Sequence, residues 1–276
     1  MSQNTKIAIV TGANKGIGFA IVKALCQKFN GTVYLTSRNS KRGEDAVRKL
    51  KEMGYNPSFY QLDINDQTSV DKFRDYIKAT YGGVDILINN AGIATGSSDY
   101  EAVKKVIDTN YFGLLRVSEA FLPLLRNDAR VVNVSSMLGH LSKIPSAELR
   151  RKFSDSSLTV AKLNDLMDQY LRDFKAGVAV EKGWGNNNYN VSKVGVSALT
   201  RVHQKLVDEN YPNKNISVNS VHPGYVSTDL TDHRGVLTTD EGAKSSIFAA
   251  LEAENLKGQF IWYDKRVVDW TASSMP

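Results

Sequence analysis

A glycine-rich run near the amino terminus constrains the fold of this chain more than any other feature. The run Thr11-Gly12-Ala13-Asn14-Lys15-Gly16-Ile17-Gly18 follows the apolar stretch 7–10 and precedes a helical pattern over 19–25. This order predicts a strand, a turn and a helix. Glycine has no Cβ, so the turn and the helix N-terminus can approach a phosphate closely. The spacing G-x-x-x-G-x-G differs from the usual G-x-G-x-x-G of dinucleotide sites, and a simple tight bend is an alternative.

Short apolar runs alternate with longer amphipathic stretches along the chain. Several of the apolar runs lack polar residues almost throughout, as expected where helices cover both faces of a sheet. Strand–helix alternation implies right-handed crossovers and predicts an α/β protein with a doubly wound parallel sheet. With no repeat or linker, we expect one domain over residues 1–276. Strands are predicted near 6–10, 32–36, 58–62, 84–88, 130–134, 215–221 and 258–262, and helices near 17–29, 41–53, 68–80, 99–126, 189–209 and 240–252.

Composition narrows the class of protein. No apolar run reaches the ~20 residues of a membrane span, and no apolar signal region precedes the first strand. The single cysteine, Cys26, excludes an intrachain disulfide, and the four histidines show no metal-ligand spacing. The net charge of +6 is spread among acidic residues, without the basic blocks of a nucleic-acid surface. These features predict a cytoplasmic protein that binds no membrane, nucleic acid or metal.

Four further motifs follow the glycine run in a characteristic order. Asn89-Asn90-Ala91-Gly92 and Ser135-Ser136 each follow an apolar run, and Tyr189-Asn190-Val191-Ser192-Lys193 opens a helical pattern. Pro223-Gly224 follows the apolar run 216–221. Together these motifs resemble the short-chain dehydrogenase/reductase family over nearly the whole chain. The resemblance implies a Rossmann-type fold, a nicotinamide cofactor and oxidation or reduction at a carbonyl carbon.

A long segment between Ser136 and Tyr189 does not fit the simple alternation. Apolar residues recur at helical spacing over 160–174, with Thr159 as a predicted N-cap and Gly177 as the residue after the C-cap. We expect this helix to dock on the domain as part of an insertion at about 140–186, although a partner-binding helix is an alternative. The insertion resembles that of the carbonyl reductase branch of the family, which implies a monomer.

The end of the second predicted strand bears on the choice of cofactor. Enzymes that use NAD hold the adenosine 2′-hydroxyl with an acid at this place, whereas this chain has Ser37 and Arg38. An arginine forms charge-assisted hydrogen bonds to a 2′-phosphate, and Lys15 can add a second positive charge. Two unrelated surface cations are the alternative. We therefore expect NADPH, and the family resemblance implies a cofactor site formed by Gly12, Asn14, Lys15, Gly16, Ile17, Gly18, Arg38, Asp63, Ile64, Asn90, Tyr189, Lys193, Val226 and Thr228.

Tyr189 and Lys193 are the candidate catalytic pair, because residues four apart share one face of a helix. A free phenol with a pKa of about 10 is a poor acid or base at neutral pH, and a nearby ammonium favours the phenolate. By the resemblance, Ser136 holds the substrate oxygen, and Asn110 binds a water that passes protons to the lysine. A serine hydrolase is disfavoured, since no G-x-S-x-G turn surrounds Ser136.

These observations predict an NADPH-dependent carbonyl reductase in which Tyr189 is the general acid. An NADP-dependent alcohol dehydrogenase is the first alternative, because the same site works in both directions. A cofactor-sensing protein without catalysis is the second. The segments expected to line the pocket are mostly apolar and predict an apolar or aromatic carbonyl substrate; they include Ile93, Ala94, Met137, Leu138, Trp184 and Tyr225.

Overall fold

The computed structural model describes residues 5–275 and contains one mostly parallel β-sheet within that range. The strands are β1 (Ile7–Val10), β2 (Thr32–Ser37), β3 (Ser58–Gln61), β4 (Val84–Asn89), β5 (Leu125–Val134), β6 (Ser217–Val221), β7 (Phe260–Ile261) and β8 (Val267–Val268). The strand order is β3-β2-β1-β4-β5-β6-β7-β8, and only the last pair, β7 and β8, is antiparallel. The direction of winding reverses between β1 and β4, which is where ligands bind in sheets of this kind.

Helices cover both faces of the sheet, which confirms the doubly wound fold predicted from the alternation of the sequence. The α-helices are α1 (Gly16–Lys28), α2 (Ser40–Glu52), α3 (Gln67–Tyr81), α4 (Tyr100–Ile107), α5 (Leu114–Phe121), α6 (Ala147–Ser154), α7 (Val160–Lys175), α8 (Asn188–Asn210) and α9 (Thr239–Ile247). Along β1, Ala8 and Val10 pack towards α1, α2 and α9, whereas Ile7 and Ile9 pack towards α3 and α5.

The predicted helix over 99–126 is interrupted and ends earlier. A π-helical turn, Asp108–Gly113, separates α4 from α5, and a 3-10 turn at Leu122–Leu124 follows α5. Pro123 lies in that turn, and its missing N–H prevents the helix from continuing. Strand β5 therefore begins at Leu125, five residues earlier than the apolar run indicated. The π turn carries Asn110, and such turns often occur at functional positions.

The segment before Tyr189 contains two helices, α6 and α7, and α7 packs against α4 and α8. Thr159 caps α7 by accepting from the Lys162 N–H, and Gly177 has the left-handed φ of +75° expected after the C-cap. The apolar stripe is buried against α8 so closely that a Cβ on Gly195 would lie 2.9 Å from the sulfur of Met167. The stripe is therefore core, as the sequence indicated, whereas the polar helix α6 had no predicted counterpart.

Candidate active site

The glycine-rich turn connects β1 to α1 and is held from behind by the end of β4. The amide of Asn90 donates to the carbonyls of Thr11 (2.9 Å) and Gly12 (3.2 Å). A Cβ on Gly18 would lie 2.4 Å from this amide nitrogen, so no larger residue fits there without a shift. Gly12 adopts a φ of +62° and lies against Ala91. Asn90 thus shapes the turn through its own side chain.

Arg38 lies at the carboxyl end of β2, where the sequence places the selection of the cofactor. Its side chain is exposed, and the guanidinium forms no ion pair within residues 5–275. The adjacent Ser37 hydroxyl donates to the side-chain oxygen of Asn14 at 3.2 Å, which brings the glycine turn beside Arg38. The structure therefore leaves one arginine charge available at the edge of this turn.

Lys15 behaves differently from Arg38. Its ammonium pairs with the carboxylate of Asp229, a residue that the sequence analysis did not single out. Both side chains are well exposed, at 61% and 58%, so solvent screens the pair and its energy is small. The pair nevertheless connects the glycine turn to the segment after β6.

The segment after β6 brings Val226 and Thr228 to the same edge of the sheet. Val226 is 2% exposed and forms a parallel bridge with Leu237. The methyl group of Thr228 would lie 3.5 Å from a Cβ placed on Gly16, so the two predicted cofactor segments face each other. Ile17 and Val226 also both approach Gly242 of α9.

Asp63 and Ile64 follow β3, at a position lateral to the glycine turn. The Asp63 carboxylate accepts from the Asn65 N–H at 3.0 Å, which fixes the local turn. Arg116 of α5 donates to the Ile64 carbonyl at 2.7 Å and holds the segment against the π-helical region. The Ile64 side chain is 7% exposed, so much of its surface already belongs to the core.

Lys193 is buried at the carboxyl end of β5, on the second turn of α8. Its ammonium donates to the carbonyl of Val134 at 2.8 Å and lies 5.6 Å from the centroid of the Tyr189 ring. Burial lowers the pKa of Lys193 to about 8. The group can therefore release or hold a proton near neutral pH, which an exposed lysine does not do.

Tyr189 and Ser136 are brought together although 53 positions separate them in the sequence. Burial raises the pKa of Tyr189 to about 12, and a hydrogen bond with Ser136 partly offsets that effect. Lys193 was expected to lower this pKa, but in the protein alone desolvation of the phenol is larger. Tyr189 is therefore a protonated phenol at neutral pH, beside a serine hydroxyl that also accepts from the Leu138 N–H at 3.1 Å.

Asn110 projects from the π turn towards the same cluster. Its side-chain oxygen accepts from the Ile93 N–H at 2.8 Å. Its amide donates to the Ile93 carbonyl at 2.9 Å and to the Ser192 hydroxyl at 3.0 Å, and Ser192 in turn donates to the Tyr189 carbonyl at 2.8 Å. A Cβ on Gly92 would lie 3.3 Å from the Asn110 oxygen and 3.5 Å from the Lys193 nitrogen. All four predicted catalytic residues therefore converge.

Some of the residues expected in the pocket wall lie beside the catalytic cluster. Ile93, Met137 and Leu138 flank the cluster and are half-buried, and Tyr225 is 46% exposed on the turn after β6. Trp184 does not line a pocket. It is 1% exposed, and its indole N–H donates to the Asp173 carboxylate at 2.9 Å inside the insertion. A tryptophan near Tyr189 in sequence can thus be a core residue, because the insertion packs its own side chains, Phe153 and Tyr170, against the indole ring.

Several contacts at this site had no signal in the sequence. The Val134 carbonyl that holds Lys193 is a backbone group, and any residue type supplies one. Ser135, adjacent to Ser136, fixes α8 from the side: its hydroxyl donates to the Lys193 carbonyl at 3.2 Å and lies 2.8 Å from the Ser197 hydroxyl. Between residues 5 and 275, no helix is long and apolar enough to cross a membrane, and no group of three metal-ligating side chains is present.

Comparison with known proteins identifies the family of this chain. Residues 6–147 match the family model for short chain dehydrogenases. "Carbonyl reductase [NADPH] 1" of Mus musculus is 41% identical over 98% of this chain and 100% of its own length. Salutaridine reductase from Papaver somniferum has a TM-score of 0.85 and 31% identity, covering 94% of this chain and 99% of its own. Menthone neomenthol reductase from Mentha piperita has a TM-score of 0.79 and 32% identity over 94% and 99%. The chain therefore belongs to the short-chain dehydrogenase/reductase family.

Proposed function

We propose that this protein is an NADPH-dependent carbonyl reductase acting on ketones, aldehydes or quinones. The observation that carries the proposal is the meeting of Tyr189, Ser136 and Lys193 beside the glycine-rich turn, at the point where the winding of the sheet reverses. The relative from Mus musculus, named "Carbonyl reductase [NADPH] 1", supports the same cofactor and the same reaction at 41% identity.

The residues at the glycine turn fit a dinucleotide phosphate. Side chains at Gly12 or Gly18 would collide with Ala91 or Asn90, so the turn keeps backbone N–H groups and the α1 N-terminus accessible. Arg38 offers an exposed guanidinium for the 2′-phosphate, and Lys15 offers a second cation once it leaves Asp229. No acid follows β2 to repel that phosphate. Asn14, Gly16, Ile17, Asp63, Ile64, Asn90, Val226 and Thr228 complete the proposed cofactor site.

NADPH, when bound, supplies the hydride to the substrate carbonyl carbon. Tyr189 donates its phenolic proton to the carbonyl oxygen, and the Ser136 hydroxyl donates a hydrogen bond that orients this oxygen. A phenol pKa of about 12 keeps the proton on Tyr189 until the oxygen becomes basic. A positioned proton donor of this kind contributes typically about 10²–10⁴ in rate.

Lys193 stabilises the phenolate that the transfer leaves and resupplies its proton. Its pKa of about 8 suits this role, because the ammonium gives up a proton near neutral pH. Asn110 already donates both amide hydrogens, to Ile93 and Ser192, so it can hold a relay water only through an oxygen atom. Its position in the π turn keeps it within reach of the lysine.

We expect apolar or aromatic substrates. Ile93, Met137 and Leu138 contribute apolar surface around the cluster, and we expect the exposed ring of Tyr225 to add an aromatic surface. Burial of apolar surface contributes roughly 25 cal/mol per Å². Without Trp184 in the wall, the preference for aromatic rings rests on Tyr225 and the aliphatic residues.

We also propose that the protein is a monomer in the cytoplasm. The insertion helix α7 covers α4 and α8, and its apolar face is unavailable for association once it packs within the same chain. Light scattering at micromolar concentration should give a mass near 30.5 kDa. A stable tetramer would contradict this expectation.

A turnover assay tests the proposed function. Purified protein should oxidise NADPH in the presence of a series of alkyl and aryl ketones, with kcat/KM rising as the group on the carbonyl becomes more hydrophobic. Net oxidation of the matching alcohols with NADP at neutral pH, far faster than reduction, would favour the alcohol dehydrogenase alternative. NADPH binding without turnover of any carbonyl would favour the cofactor-sensing alternative.

A further inference from the structure

A buried histidine adjoins the Pro223–Gly224 turn and has no role in the chemistry described above. His222 is 4% exposed and lies at the end of β6. Its backbone is fixed on two sides: its N–H donates to the Ile261 carbonyl at 2.8 Å, and its carbonyl accepts from the Ser245 hydroxyl at 3.3 Å. The ring is therefore presented by a rigid strand end.

The imidazole folds back onto the turn that follows it. Its Nδ1 accepts from the Gly224 N–H at 3.2 Å. The ring also packs edge-on against Trp262, with centroids 4.5 Å apart and an interplanar angle of 66°. An Nδ1 that accepts must carry no proton, so the neutral tautomer with the proton on Nε2 is the form present. Burial favours the same neutral form and lowers the pKa of His222 to about 4.

The hydrogen bond to the Gly224 N–H fixes the start of residues 224–228, which include two proposed cofactor residues. Pro223 has no N–H, so Gly224 carries the next backbone donor after that of His222. Gly224 adopts a φ of +89°, and a Cβ there would lie 2.3 Å from Leu237. Two residues later the chain enters the bridge between Val226 and Leu237, which leads to the proposed cofactor residue Thr228. A shift at Gly224 would therefore displace Val226 and Thr228 of the proposed cofactor site.

We propose that His222 is a positioning residue that acts through Gly224, setting the course of residues 224–228 for cofactor binding. This inference rests on the proposed function. The residues proposed for proton transfer lie after β5, on α8 and in the π turn, and not on this segment. Loss of the His222 contact should therefore weaken binding of NADPH and of the carbonyl substrate while kcat at saturation changes little.

Three substitutions of His222 separate the effect of the hydrogen bond to Gly224 from the effect of ring packing against Trp262. In His222→Asn, the side-chain oxygen lies near the former position of Nδ1 and can accept from the Gly224 N–H, as in an Asx turn. His222→Gln keeps an amide but places it near Nε2, away from Gly224. His222→Phe keeps the aromatic packing on Trp262 without an acceptor. Each variant is checked for folding by thermal melting before binding is measured.

The readout is the Kd of NADPH by fluorescence, together with KM and kcat for one ketone. We expect Kd to rise about tenfold in His222→Phe and His222→Gln, the effect of leaving a donor without its acceptor, and to stay within about twofold in His222→Asn. Long-range nitrogen NMR of the wild type should show the Nε2–H tautomer. The inference would be overturned if every variant had the Kd of the wild type, or if His222→Asn and His222→Gln lost affinity equally. If His222→Phe does not fold, the comparison of His222→Asn with His222→Gln decides the question. If the wild-type protein itself fails to bind NADPH, the proposed function fails instead.

Discussion

The two parts of the proposed site are built in opposite ways. Around Lys193, Asn110 and Ser136 each polar side chain is held by hydrogen bonds to the protein, and Lys193 is 4% exposed. Around Arg38 and Lys15 the charges are exposed, and within residues 5–275 the only ion pair that either residue forms is that of Lys15 with Asp229. We propose that the buried part is preorganised for proton transfer, where small displacements are costly. We propose that the exposed part selects a phosphate by charge and can reorganise.

This comparison predicts that substitutions in the buried part lower kcat, whereas substitutions in the exposed part weaken cofactor binding. Tyr189→Phe removes the proton donor and should lower kcat by about 10²–10⁴ while NADPH still binds. Binding is followed by fluorescence and turnover by NADPH absorbance. A Phe variant that keeps more than about a tenth of kcat would show that another group donates the proton.

Substitutions in the exposed part should change the affinity for NADPH and leave kcat nearly constant. Arg38→Asp replaces a charge-assisted contact with repulsion and should cost about 1.5–3 kcal/mol of NADPH binding, with little change in kcat. The KM for NADH should stay constant or fall. Arg48→Asp is the matched control, because Arg48 is an exposed arginine further along α2 that pairs with Asp45 at 2.8 Å. Equal KM values for NADH and NADPH in the wild type would refute this view of Arg38.

Burial also carries a cost in stability, which pH should reveal. His203 of α8 is 0% exposed, neither ring nitrogen has a hydrogen-bond partner within the described chain, and burial lowers its pKa from 6.5 to about 4. Between these two pH values the unfolded chain binds more protons at His203 than the folded chain does. The free energy of unfolding is therefore undiminished by His203 above pH 6.5, and it falls as the pH drops from 6.5 towards 4.

For His203 alone the loss between pH 7 and pH 5 should be about 2 kcal/mol. Urea denaturation at both pH values measures it, and His203→Met provides the comparison, since methionine does not titrate. The variant should lose less stability on acidification than the wild type. An identical loss in both proteins would mean that His203 becomes charged inside the fold or gains a partner.

The smallest expected effect concerns the pair between Lys15 and Asp229. A 2′-phosphate and the Asp229 carboxylate compete for the same ammonium, so Asp229→Asn should lower the KM for NADPH by about two- to fivefold, the range of an exposed ion pair. Asp240→Asn is the matched control, because it removes the same charge from a pair with Lys23 at 2.6 Å. If Asp229→Asn raises the KM instead, the carboxylate helps to hold the cofactor segment.

The sequence alone predicted the alternating fold, and the structure confirms it, because hydrophobic periodicity is a local property that the chain carries into any context. The helix α7 with its caps was predictable for the same reason, since Thr159 and Gly177 act within one turn of the helix ends. The candidate catalytic residues came from the order of the motifs, and their roles stay predictions until variants are assayed.

Only the tertiary structure decided how these residues are held. Contacts such as Lys193 to the Val134 carbonyl, Lys15 to Asp229 and Asn110 to Ile93 join segments 17 to 214 positions apart or involve backbone groups common to every residue. The direction in which the pKa of Tyr189 shifts also depends on desolvation, which the spacing of residues in the sequence does not reveal. Trp184 shows the same limit, because nearness in sequence suggested the pocket while packing placed it in the core. Residue types determine which chemistry is available to the site. The three-dimensional packing determines the hydrogen-bond partners and the solvent exposure of each group, and these set its pKa.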